Sequence, residues 1–152
     1  MRILWIEDDR VDIYGLEAQC EARGWHKDIV PTFCGAVKML ASEENKYDLV
    51  VIDLMLPWGE EATDWVVKSF SDETAGIRLL EAMRGCGEGQ DILEKIGMPP
   101  LYERHLQTPV IVLSKFPKHE DECRRLDIVE FFCKRDYSWQ SLVMAIEGFS
   151  RT

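Results

Sequence analysis

The chain has 152 residues, a formal net charge of −10, 46% hydrophobic and 30% charged residues, a balance typical of soluble globular proteins. No apolar run is long enough to cross a bilayer, and the opening "MRILWIEDD" places charge too soon for a secretory signal; a cytoplasmic protein with no membrane association is expected. The acidity, with no dense Lys/Arg cluster, also disfavours direct nucleic-acid binding, whose affinity rests on neutralising phosphates.

One domain over 1–152 is the simplest organisation at this length. "RILWI" reads as a first strand, followed within "DDRVDIYGLEAQCEARG" by a helix that Gly24 ends. "HKDIVPT" is a second strand limited by Pro31, and "CGAVKMLASEE" a helix with Val37, Leu40 and Ala41 on one face. "YDLVVID" is a third strand, and its lack of polar alternation requires both faces to be covered. "TAGIRLLEAMRG" is helical, with Ile77, Leu80 and Met83 on one stripe and Gly85 past its end. "TPVIVLS" is another strand covered on both faces, "HEDECRRL" allows a short helix, and "DIVEFFCK" is a fifth strand. In the last element Trp139, Leu142, Val143, Ile146 and Phe149 recur at helical spacing. Five alternations of strand and helix imply an α/β fold, a parallel sheet with helices on both faces.

Two stretches interrupt the rhythm, at about 58–74 and 86–107, where connections of a few residues are usual. The second holds a short helical segment, "GQDILEKIG". The first carries Trp58, Glu60, Glu61, Asp64 and Trp65 beside the third strand, and three roles stay open for it: a lid, a docking element or a packed appendage. The five cysteines form no CxxC pair, and His26, His105 and His119 have no metal-ligand spacing; surface positions are expected for the histidines.

In an open parallel sheet, ligands bind beyond the carboxyl ends of the strands. The first strand ends in Glu7, Asp8 and Asp9, the third in Asp53, the fourth in Ser114 and the fifth in Lys134. If the first, third and fourth strands are neighbours, with the fifth at the edge, these residues meet in one crevice. Carboxylates a few ångströms apart repel by roughly a few kcal/mol at an intermediate dielectric, and one of them would hold a proton. A hard divalent cation removes that conflict. Mg²⁺ suits one or two carboxylates with waters and phosphate oxygens, and Lys134 adds a point charge. Asp53 can then stay ionised and attack phosphorus, with Ser114 donating to a phosphoryl oxygen. Each residue also has an ordinary reading: Asp8 or Asp9 can cap the helix that follows, and Ser114 or Lys134 can simply be solvated.

The segments "ILWIEDD", "YDLVVIDLMLP", "TPVIVLS" and "FFCK", in this order, resemble the receiver domain of two-component response regulators, and "AGIRLLEAMR" resembles that family's third helix. The resemblance covers the chain outside the two insertions. It implies a flavodoxin-like three-layer sandwich with a five-stranded parallel sheet in the order 2-1-3-4-5. It implies Asp53 as phosphoacceptor from a phosphohistidine on a sensor histidine kinase or phosphotransfer protein. Glu7, Asp8, Asp53 and the backbone carbonyl of Met55 would hold Mg²⁺. Ser114 matches the switch hydroxyl, Lys134 the phosphate-pairing lysine and Phe131 the switch aromatic. Phosphorylation would draw Ser114 toward Asp53 and turn Phe131 inward. That would change the surface of the family's fourth helix, fifth strand and fifth helix, for a downstream protein or a second copy to read. Lys115 follows Ser114 where the family favours a small residue, and Arg135 stands where a proline usually follows the lysine.

The expected function is a stand-alone response-regulator receiver, with no catalysis beyond its own phosphorylation and dephosphorylation. One alternative is a receiver-like interaction module that is not phosphorylated. Another is a haloacid-dehalogenase-like phosphohydrolase, which places a second Asp two residues after the nucleophile; here that position is Met55.

Overall fold

The computed structural model describes residues 1–9 and 11–150, with the backbone alone at 11–13. Arg10, part of the expected first helix, lies outside the described residues. Strands β1 (Arg2–Ile6), β2 (His26–Val30), β3 (Leu49–Asp53), β4 (Val110–Ser114) and β5 (Glu130–Cys133) form one parallel sheet in the order β2-β1-β3-β4-β5. The helices are α1 (Val11–Arg23), α2 (Phe33–Ala41), α3 (Asp64–Ser69), α4 (Ala75–Arg84), α5 (Gly87–Ile96), α6 (Tyr102–His105), α7 (Glu120–Arg124) and α8 (Trp139–Ser150). Among the described residues no helix is long and apolar enough to cross a membrane.

The period of two along each strand divides the core. Ile3, Trp5, Val51 and Leu113 pack with Leu16 of α1 and Leu142 and Ile146 of α8 on one face. Leu4, Ile6, Ile52 and Val112 pack with α2, α4 and Cys123 of α7 on the other. β3 and β4 are buried along their whole length, as their unbroken apolar runs require. β2 stops at Val30, because Pro31 has no N–H to continue a ladder.

Both insertions are closed excursions. Leu56 N–H donates to the Asp72 carbonyl at 3.1 Å, so the first leaves and returns at one point. Trp58 turns into the core, its ring 4.9 Å from that of Phe33 and 6.4 Å from that of Phe70. The Pro57 and Trp58 carbonyls accept from Phe33 and Cys34 N–H at 2.9 Å each, satisfying two donors that the start of α2 leaves free. An exposed Lys38–Glu61 ion pair adds a second tie to α2.

In the second excursion, α5 crosses α4 so closely that a Cβ on Gly89 would stand 1.8 Å from the Arg78 carbonyl oxygen. Arg84, the last residue of α4, donates to the carbonyls of His105 (2.8 Å), Thr108 (3.0 Å), Leu126 (2.9 Å) and Asp127 (2.8 Å). The point where the chain returns to β4 is thereby tied to the helix it left. His105, expected at the surface, is buried: Nδ1 lies 3.0 Å from Thr108 Oγ1 and Nε2 2.7 Å from the Leu40 carbonyl. Burial lowers its pKa. The short helix α6 that carries it is too brief to show a period in the sequence.

Because the first excursion closes on itself, α4 still begins beside the end of β3. Gly76 N–H donates to the Leu54 carbonyl at 2.9 Å, and a Cβ at Gly76 would lie 2.3 Å from the Asp53 carbonyl oxygen. Gly76→Ala is expected to cost about 3 kcal/mol by overpacking against backbone that cannot give way. Gly148→Ala, in α8 with nothing within 4 Å, is expected to add about 0.5–1 kcal/mol. Urea denaturation of the two variants checks this; equal effects would show that the Gly76 approach is not the constraint.

Candidate functional site

With β3 between β1 and β4, and β5 at the edge, the polar residues following these strands gather over one carboxyl edge of the sheet. A crevice of about 720 Å³ opens there. Its lining includes four carboxylates, those of Glu7, Asp8, Asp9 and Asp53, together with Met55. It also includes three cations, Lys115, Lys134 and Arg135. Glu7 and Asp53 are only 1% and 5% exposed, whereas Asp8 is open to solvent. Carboxylate oxygens of Glu7, Asp8 and Asp53 lie within 4.8 Å of one another.

Lys134 Nζ sits 2.6 Å from Glu7 Oε2 and 3.0 Å from Asp53 Oδ2. The remaining oxygens are engaged by backbone: Asp9 N–H donates to Glu7 Oε1 and Met55 N–H to Asp53 Oδ1, both at 3.2 Å. One ammonium therefore faces two buried carboxylates, and the charges do not close. Burial, then the neighbouring Asp53, raises the Glu7 pKa from 4.5 to about 8, outweighing the opposite pull of Lys134. Burial alone would lower the Lys134 pKa, but Asp53 and Glu7 together hold it above its ordinary value.

Ser114 and Phe131 stand apart from this cluster and do not line the crevice. Ser114 Oγ donates to the Phe116 carbonyl at 2.7 Å and accepts from Phe116 N–H at 3.2 Å, closing a tight hydroxyl turn. Phe131, paired in register with Val112, is 7% exposed and already packed into the core. The structure thus brings together Glu7, Asp8, Asp53, Met55 and Lys134, and leaves Ser114 and Phe131 behind them. No residue of 58–74 is among the crevice's described lining residues, although Glu73 lines a smaller cavity beside Met55 and Lys115. Sequence reasoning missed Phe116 as the partner of Ser114, whereas Lys115 and Arg135, the departures noted beside Ser114 and Lys134, do line the crevice.

The donor set fits Mg²⁺: three clustered carboxylates, no Cys or His, and more negative charge than Lys134 cancels.

No family model and no curated protein matches the chain. Solved structures match it along nearly its whole length. A Francisella response regulator 1452 receiver domain is 19% identical with a TM-score of 0.67, covering 99% of this chain and 96% of its own. The BeF3-activated N-terminal receiver domain of Klebsiella pneumoniae RstA is 17% identical with a TM-score of 0.67, covering 100% of both chains. The receiver domain of the Pseudomonas aeruginosa sensor histidine kinase PA1611, with a magnesium ion in its active-site cleft, is 18% identical with a TM-score of 0.60, covering 99% and 98%. At these identities the likeness is one of fold: the chain has the five-stranded flavodoxin-like architecture of response-regulator receiver domains.

Since Glu7 titrates higher in the folded protein than unfolded, its contribution favours the fold most below about pH 4.5 and is lost as pH rises toward about 8. Asp53→Asn removes the second cause of that shift. In metal-free buffer the stability of the variant relative to wild type is expected to rise by about 1–2 kcal/mol between pH 4.5 and pH 8, on top of the loss of the Lys134 contact at both. Urea titrations at the two pH values check this; a relative stability that stays level or falls as pH rises would contradict it.

Proposed function

We propose that the protein is a receiver that accepts a phosphoryl group on Asp53 from a phosphohistidine of a sensor histidine kinase or phosphotransfer protein. The observation that carries this reading is Lys134 held between Glu7 and Asp53, in a crevice with more carboxylate charge than it neutralises. Glu7, Asp8, Asp53 and the Met55 carbonyl would hold Mg²⁺. When bound, the ion supplies charge neutralisation for the phosphoryl oxygens and the carboxylates alike. An Asp53 oxygen attacks phosphorus, the donor's P–N bond breaks, and its electron pair leaves with the imidazole nitrogen. The product is an acyl phosphate on Asp53, with Lys134 placed to pair with one phosphoryl oxygen.

Ser114 would then exchange the Phe116 carbonyl for a phosphoryl oxygen. That exchange frees the Phe116–His119 segment leading into α7. A downstream protein, or a second copy of the chain, would read the surface of α7, β5 and α8. Since Phe131 is already inside, its part is repacking within the core rather than a turn from outside. The buried Phe131 and the closed Ser114–Phe116 turn favour one second reading, a binding module that works without phosphorylation. A phosphohydrolase is the weaker reading, since Met55 offers no side-chain acid to a leaving group.

Incubation with acetyl phosphate and Mg²⁺ is expected to add the mass of one phosphoryl group, lost in Asp53→Asn and on chelation. Lys134→Ala should slow the gain by about 10²-fold, the scale of losing one preorganised charge contact. Absence of any gain, with small donors and phosphohistidine proteins alike, would sink this reading in favour of the binding module.

A further inference from the structure

Lys115 and Arg135 line the crevice, yet the phosphoryl-binding geometry above uses neither. Their value lies in the sign of the crevice. With a divalent ion bound and its four lining carboxylates ionised, the crevice's described lining residues and the ion together carry one positive charge. Without Lys115 and Arg135 the same loaded crevice would still be negative by one. A phosphoryl donor arrives carrying nearly two negative charges at neutral pH, so these two side chains decide whether the crevice attracts or repels it.

Lys115 lies on the turn that Ser114 closes, and Arg135, which follows β5, packs against that turn. Lys115 is the residue between Ser114 and Phe116, and its carbonyl lies 3.7 Å from Cys133 Sγ of β5. The Arg135 guanidinium stands 5.3 Å from the centre of the Phe116 ring, within cation–π range. The turn that would open when Ser114 reaches a phosphoryl oxygen therefore carries Lys115 and holds the ring against which Arg135 lies.

We infer that Lys115 and Arg135 form a capture site for the phosphate dianion of the donor, drawing it into the Mg²⁺-loaded crevice ahead of transfer to Asp53. This rests on the phosphoacceptor reading. Capture acts on the donor's arrival, and Lys134 acts on the group once it is in place.

The test is the double variant Lys115→Gln/Arg135→Gln, with Lys118→Ala as control. Lys118 also stacks on Phe116, at 5.9 Å, but does not line the crevice. By isothermal titration the double variant should bind Mg²⁺ alone several-fold more tightly, and inorganic phosphate at saturating Mg²⁺ about tenfold more weakly. Phosphorylation at limiting acetyl phosphate or N-phosphorylimidazole should fall about tenfold and recover at saturating donor. The control should match wild type, and Lys115→Arg/Arg135→Lys should restore both affinities. Mg²⁺ and phosphate affinities that fall together, or neither changing, would overturn the capture site. So would a loss confined to one donor, since the cations would then be reading its leaving group. Phosphate binding is measured without transfer, so opposite shifts in a protein that never phosphorylates would keep the anion site and refute the phosphoacceptor reading instead.

Discussion

The ammonium of Lys134, 2.6 Å from Glu7 and 3.0 Å from Asp53, is the contact on which the site depends. It joins the ends of β1, β3 and β5, an edge strand reaching past β4 to two central ones. A single ammonium cannot neutralise two buried carboxylates with a third beside them, so the Glu7 carboxyl is held protonated up to about pH 8. That cost is tolerable only where a ligand can supply what is missing, which is why the imbalance points to function rather than to stability.

The same logic explains how the site survives two insertions. Each leaves the sheet and is tied back close to its point of departure: by Leu56 to Asp72 in one, and by the Arg84 guanidinium on His105 and Thr108 in the other. The inserted residues then extend the α2–α4 side of the core, with Trp58, Val66, Ile92 and Leu93 all buried. Gly76 keeps its close approach to the Asp53 backbone, and none of the crevice's described lining residues comes from either insertion.

Much of this was legible from local pattern. The unbroken apolar runs of β3 and β4 announced strands covered on both faces, and the spacing of Leu142, Val143 and Ile146 announced α8. The carboxylates after β1 and β3 could be paired with Lys134 because parallel strands put their C-terminal ends on one edge. What escaped was decided by contacts with no local period. His105 is buried by docking on the Leu40 carbonyl, Trp58 by the aromatic pair it forms with Phe33, and Ser114 is claimed by Phe116 two residues on.

The amino-acid order by itself determined the strand and helix alternation and which charged groups reach the carboxyl edge, because periodicity and strand direction are properties of the local chain. Only the tertiary structure decided how those charges balance. Distances between strand ends depend on sheet order and on how two excursions close, and electrostatic energy varies with distance and burial rather than with position in the sequence. Lys115 and Arg135 were therefore visible from the start as departures beside Ser114 and Lys134. Their charge took on meaning once the fold placed it opposite four carboxylates in one crevice.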